Sequence, residues 1–243
     1  MRRILIFLGL ALVCAAFRGR AATDDFFAHG VELNRAGQFP EAAAAFQNAI
    51  HQRPSSGALV NLGIAEWQIG HAGAAMLAWE RAQWIDPFDS RAGSNLRFAR
   101  TTVQVNELEL RWHEKISSWL AADAWLWIAF ASLWLATGAL VLPRFFRWKK
   151  SGFQQTLSAL GWMIFVLAVT ANLGVASRTN LGLVVKNNSA VQLTPTRAGE
   201  VISTLAAGEP ARVIKTRGDF YFIRATMTAG WVARKDFSLV IPE

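Results

Sequence analysis

Cysteine is almost missing from this chain of 243 residues: Cys14 stands alone. That excludes an intramolecular disulfide, a CxxC redox pair and a cysteine-based metal site. Charge is scarce as well. Only 17% of the residues are Asp, Glu, Lys or Arg, too few for a wholly water-facing surface, so one fully soluble domain is not expected. The 53% apolar content excludes a disordered chain. Catalytic constellations are lacking too. His29, His51, His71 and His113 lie far apart, with no HExxH or other paired-ligand spacing. Neither a phosphate loop, a GxSxG elbow nor a kinase signature occurs. The expectation is a protein that is not an enzyme and uses no metal or cofactor.

What the chain does have is a net charge of +8, which first suggests nucleic acid or acidic lipid as a partner. Its distribution points elsewhere. Residues 1–22 carry Arg2, Arg3, Arg18 and Arg20 around the apolar run Ile4 to Phe17. That order is the pattern of a secretory signal sequence, either cleaved or kept as an anchor. Residues 124–142 and 157–176 are uncharged and apolar, each long enough to cross a bilayer as a helix of about 30 Å. Trp119 and Trp125 before the first, and Phe145, Phe146 and Trp148 after it, read as interfacial aromatics. Asp123 and Asn172 read as interfacial polar groups. Between the spans, in loop 143–156, stand Arg144, Arg147, Lys149 and Lys150, with no acid from Pro143 to Ser151. Short basic loops stay cytoplasmic, which places both flanking regions outside the cytoplasm, as the signal sequence independently predicts. The two targeting segments each carry +4 and everything else cancels.

Region 23–120 is helical by periodicity from Thr23 to about Pro87, rich in alanine and punctuated at a fixed interval. Gly30 to Gly63 and Pro54 to Pro87 are both 33 residues apart. Small residues at Gly30 and Gly63 let one helix meet the next closely, and Gly37 and Gly70 make the turns. Ala42 and Ala75 stand where the second helix crosses, Phe46 and Trp79 fill the groove behind, and proline ends each unit. A half-unit follows at Ser90 to Arg100. Here the chain resembles the tetratricopeptide repeat family, whose units run to about 34 residues. The resemblance implies a concave groove for peptides or helices, with Asn34, Asn61 and Arg97 as candidate groove residues. With 11 acidic and 8 basic residues between Thr23 and Lys115, the region is no nucleic-acid surface.

Residues 180–243 change character. Alternation at Ala211 to Lys215 and Phe220 to Arg224 predicts period-2 strands, separated by Gly, Asn and Pro turns. Arg217-Gly218-Asp219 reads as a hairpin turn. Five or six short strands in some 60 residues suggest a small barrel, closed to hide its edges. Val184 to Leu193, Leu205 with Gly208, Arg212 to Ile214, Phe220 to Arg224 and Gly230-Trp231-Val232 resemble a bacterial SH3-like domain of the cell-envelope type. That resemblance implies peptide or cell-wall binding, with Phe220, Tyr221 and Trp231 as ligand candidates.

The expected fold class is therefore multidomain α + β: tetratricopeptide helices, two transmembrane helices and an SH3-like barrel. The whole order resembles the E component family of the Bacteroides aerotolerance operon. It implies a bacterial inner-membrane scaffold, with both folded regions in the periplasm, that binds other membrane or periplasmic proteins through both modules. Two alternatives are a peptidoglycan binder or sensor, and a structural subunit of a membrane complex whose second span packs on a partner through Gly161 and Ala168.

Overall fold

The computed structural model describes residues 25–107, 109–145 and 152–241. The expected signal sequence, and Arg147, Lys149 and Lys150 of the basic loop, lie outside them. Eight helices occur among the described residues. They are α1 (residues 25–35), α2 (Phe39–Gln52), α3 (Ser56–Gln68), α4 (Ala72–Ile85), α5 (Ser90–Val103), α6 (Trp112–Ser117), α7 (Ala122–Phe145) and α8 (Gly152–Arg178).

Local chemistry sets the helix ends. Gly37 and Gly70 take left-handed φ angles of 74° and 90°, which turn the chain between α1 and α2 and between α3 and α4. The Ser55 hydroxyl accepts from the Ala58 N–H at the start of α3, and the Asp89 carboxylate accepts from the Arg91 N–H at the start of α5, satisfying donors that a helix start leaves free. Pro40 sits in the first turn of α2, where its missing N–H costs nothing.

Two packing units build the helical region. Ala42, Ala43, Phe46 and Ala65 close the first. Leu59, Val60, Ala75, Met76, Trp79, Ala92 and Leu96 are among those that close the second. A Cβ on Gly30 would lie 2.7 Å from the Phe46 ring, and one on Gly63 would lie 2.7 Å from Trp79 Cδ1. The indole is fixed in that position because its Nε1 donates to the Val60 carbonyl at 3.1 Å.

α7 and α8 form an antiparallel hairpin seamed by small residues. A Cβ on Gly161 would lie 2.9 Å from Ala136 Cβ, and the Ser158 hydroxyl donates to the Ala136 carbonyl at 3.0 Å. Ala168 and Ala171 are fully buried in the same seam. Gly161 and Ala168 thus face α7, so they are not free to seat a further membrane protein. Trp125, expected at a lipid interface, is only 4% exposed and donates to the Ser117 carbonyl at 3.1 Å. Both helices are long and apolar enough to cross a membrane, and little of either is covered by the rest of the protein. α7 runs on through Pro143, so Arg144 lies in its last turn.

The C-terminal region is a seven-stranded antiparallel sheet. Its strands are β1 (Leu181–Val184), β2 (Ser189–Gln192), β3 (Val201–Leu205), β4 (Pro210–Arg217), β5 (Phe220–Ala225), β6 (Ala229–Ala233) and β7 (Phe237–Leu239), in the order β3-β2-β6-β5-β4-β1-β7. β3 and β7 are edges and do not pair with each other, so the expected closed SH3-like barrel is wrong. An edge can be hidden by a covering element as well as by closure, and here α4 covers one. Arg81 donates to the carbonyls of Leu239 and Val240 at 2.9 and 3.0 Å and to the Ser238 hydroxyl at 3.2 Å. Leu77 and Trp84 of α4 pack with Leu183, Val185 and Val240. Gly73 allows the Val184 and Val185 carbonyls to approach α4 closely.

This contact also overturns the expected tetratricopeptide array. α4 does not belong to a free-standing stack; it is the shared wall between a mixed helical bundle and an open sheet. The scaffold of two binding modules on one hairpin is corrected with it, since bundle and open sheet pack on each other through α4.

Gly63→Ala is expected to destabilise the helical region by about 1–3 kcal/mol, because Trp79 leaves no room for a methyl group. Gly57, in the same helix, has open space around it. Gly57→Ala should instead be neutral or stabilising by up to about 1 kcal/mol. Denaturant titrations of the two variants in detergent check the contrast.

Candidate functional site

Alternation along the strands gives the sheet two chemically different faces. Val191, Tyr221, Ile223, Ala225 and Val232 turn to the core. Gln192, Phe220, Phe222, Trp231 and Ala233 occupy the intervening, partly exposed positions. Across the strands, Phe222 is in register with Trp231 and Phe220 with Ala233. The Phe222 and Trp231 rings meet edge-on, with centroids 5.3 Å apart.

Beside Phe220 lies a cavity of about 670 Å³, lined also by Gln192, Arg197, Asp219, Arg234, Lys235 and Asp236 with Ala190 and Ala233. Its volume falls within the usual range of roughly 300–1,000 Å³ for ligand sites. Three cations and two carboxylates share it. The Gln192 Oε1 is buried without a protein hydrogen-bond partner, a costly state for an amide oxygen unless water or a ligand donor reaches it. The Arg234 guanidinium stands 4.7 Å from the Tyr221 ring centroid, which stiffens one wall.

Of the three aromatic candidates, Phe220 lines the cavity, Trp231 packs on Phe222, and Tyr221 is a core residue whose ring meets Phe237 edge-on. The groove candidates are not assembled there. Asn34 lies in the last turn of α1 with its Oδ1 buried and unpaired, Asn61 is half-buried on α3, and Arg97 is exposed and donates to the Ser94 hydroxyl. Sequence reasoning missed Gln192, Arg197, Arg234 and Lys235. Polar residues in turns and at strand ends read as solvated, and only their convergence singles them out. A second cavity of about 640 Å³ separates the helices from the β1–β2 turn, with Lys186 and the Glu66–His71 pair, 2.8 Å apart, on its wall. No three His, Cys, Asp or Glu side chains converge as a metal site among the described residues.

A buried ion pair fixes the sheet to the helices. Glu114 of α6 is fully buried. Arg212 of β4 grips it with two parallel hydrogen bonds of 2.9 Å, the geometry in which a guanidinium binds a carboxylate best. Glu114 also accepts from the Arg111 N–H at 2.8 Å and from the Ser177 hydroxyl of α8. Burial pushes its carboxyl up, but the hydrogen bonds from Arg212, Ser177 and Arg111, with the Arg212 charge, outweigh burial and hold it at about 2. Glu80 on α4 goes the other way: burial raises it, and Arg100 and Arg178 only partly offset this.

No protein-family model matches this chain, and no curated protein matches it. The tetratricopeptide, SH3-like and aerotolerance-operon resemblances find no support in these comparisons, and the sheet topology contradicts the barrel outright. The functional readings built on them, a two-module scaffold, a peptidoglycan binder and a structural subunit, are corrected together with them.

Glu114 has a folded-state value below its ordinary one, so its contribution is present above about pH 4 and is lost as the pH falls toward about 2. Glu114→Gln should be clearly less stable than the parent at neutral pH, with the gap closing across that window. Arg212→Ala strands the carboxylate and should cost about 3–5 kcal/mol at neutral pH. Denaturation midpoints measured at several pH values test both.

Proposed function

We propose that this is a membrane-anchored binding protein whose ligand is a short polypeptide segment, held in the cavity on the outer face of the sheet. The observation that carries the reading is the meeting of Arg197, Arg234 and Lys235 with two carboxylates and the unpaired Gln192 oxygen. Arg197 and Lys235 take a peptide carboxylate, Asp219 and Asp236 take a basic group, and the amide oxygen takes a backbone N–H. Phe220 adds an apolar wall. These groups hold a ligand rather than transform it, so the protein acts by binding and is not an enzyme. The segment belongs to another membrane or periplasmic protein, and nucleic acid is not the partner.

α7 and α8 cross the inner membrane of a bacterium. Their exposed apolar surface, with Trp127, Phe130 and Trp134 on α7, suits lipid and would be unfavourable in water. Arg144, Arg147, Lys149 and Lys150 keep the connection between them cytoplasmic. Bundle and sheet then stand together on the periplasmic side.

Random peptides displayed on phage and selected on the detergent-solubilised full chain should yield binders that lose at least about tenfold in affinity, or 1.4 kcal/mol, on Arg197→Glu with Lys235→Glu. Lys186→Glu, in the other cavity, should leave them unchanged; the reverse pattern moves the site. Orientation is checked by a reporter active only in the periplasm. Fused after Glu243 it should be active, and fused between Pro143 and Ser151 it should be silent.

A further inference from the structure

α6 has two unlike faces. Glu114 and Ser117 are buried against β4 and α8. Arg111, Trp112, Lys115 and Trp119 are exposed, and Trp112, Lys115 and Trp119 follow the spacing that puts side chains on one side of a helix. The helical path continues past Ser117: the Ser118 N–H donates to the Glu114 carbonyl and the Trp119 N–H to the Ile116 carbonyl. Trp112 is 68% exposed and Trp119 60%. Two large aromatics set in water beside a basic side chain need an explanation that core packing does not supply.

The place of α6 supplies it. α7 begins at Ala122, directly after this turn. Gly174, in the last turns of α8, lacks a side chain where the His113 carbonyl approaches, and Trp125, in the first turn of α7, donates to Ser117. Ile116 and Leu120 pack with Trp125, Ala168 and Ala171. α6 is therefore fastened to one end of the hairpin. At 1.5 Å per residue, α7 and α8 are about 36 and 40 Å long, more than the ~30 Å hydrocarbon layer, so their ends reach the headgroups.

We infer that the Arg111–Trp112–Lys115–Trp119 face of α6 lies in the headgroup layer of the membrane and docks on anionic phospholipid. Indole rings favour this depth because one edge is apolar and the other donates a hydrogen bond. Lys115 and Arg111 meet lipid phosphates. Because the other face of α6 holds Arg212 through Glu114, the membrane surface orients the sheet and its cavity. The inference rests on α7 and α8 crossing the bilayer, and the test separates the two.

The full chain, with Cys14 replaced by Ser, is spin-labelled at one introduced cysteine and reconstituted in vesicles of phosphatidylcholine with about one quarter phosphatidylglycerol. Collisions with oxygen and with a water-soluble nickel chelate report depth. A label at Ser118 should meet the chelate at about one third or less of the rate at Arg97, an exposed position on α5. Trp112→Ala with Trp119→Ala should raise the Ser118 rate about threefold. Lys115→Glu should raise it in the anionic vesicles and not in pure phosphatidylcholine. Equal rates at Ser118 and Arg97, with a label at Leu135 in α7 still deep, overturn the docking of α6 alone. A Leu135 label as accessible as Arg97 overturns the membrane-crossing reading and the inference with it. Circular dichroism confirms that each exposed-site variant is folded.

Discussion

One carboxylate joins the parts of this protein. Glu114 is out of reach of water, yet ionised, because Arg212, Ser177 and the Arg111 N–H meet it from three directions. A buried charge is tolerable only when its partners are complete. Each partner comes from a different element: β4, the end of α8, and the chain entering α6. Satisfying one side chain therefore determines how the sheet, the apolar hairpin and the connecting helix sit together. The Arg81 cap on β7 and the Leu77–Leu183–Val240 cluster hold the same joint from the α4 side.

That joint explains why the sheet need not close. A barrel removes both edges through its own backbone, whereas here a guanidinium and a helix face cover the β7 edge. β3 remains the other edge, with Val201 and Ile202 exposed. Opening the sheet leaves its outer face accessible, and the charged groups of the β2–β3 loop and the turn after β6 converge there around Phe220. The cavity is thus a consequence of topology rather than of a contiguous motif.

Some features were legible in residue order. Two helices of the length and apolarity to cross a membrane follow from unbroken runs of uncharged residues. The inward and outward sides of β5 follow from alternation at Phe220 to Arg224. The unlike faces of α6 could be read from Trp112, Lys115 and Trp119, but only with a known buried face opposite. A 33-residue spacing and a run of short strand segments ending in Gly230-Trp231-Val232 do not by themselves specify a whole domain. Neither records what packs on the outside. Trp125 shows the same limit, since a tryptophan beside a span looks interfacial until Ser117 is found beneath it.

The sequence by itself determined the local periods, because helix and strand geometry depend on residues three, four or two positions apart. It also determined where positive charge concentrates, in residues 1–22 and 143–156, because that count is independent of fold. Tertiary structure alone decided that Glu114 meets Arg212, 98 positions away, that Arg81 caps β7, and that Gly161 faces Ala136. Those contacts depend on the path of the chain between the partners. A buried charge accepts only the partner that this path brings within hydrogen-bonding distance.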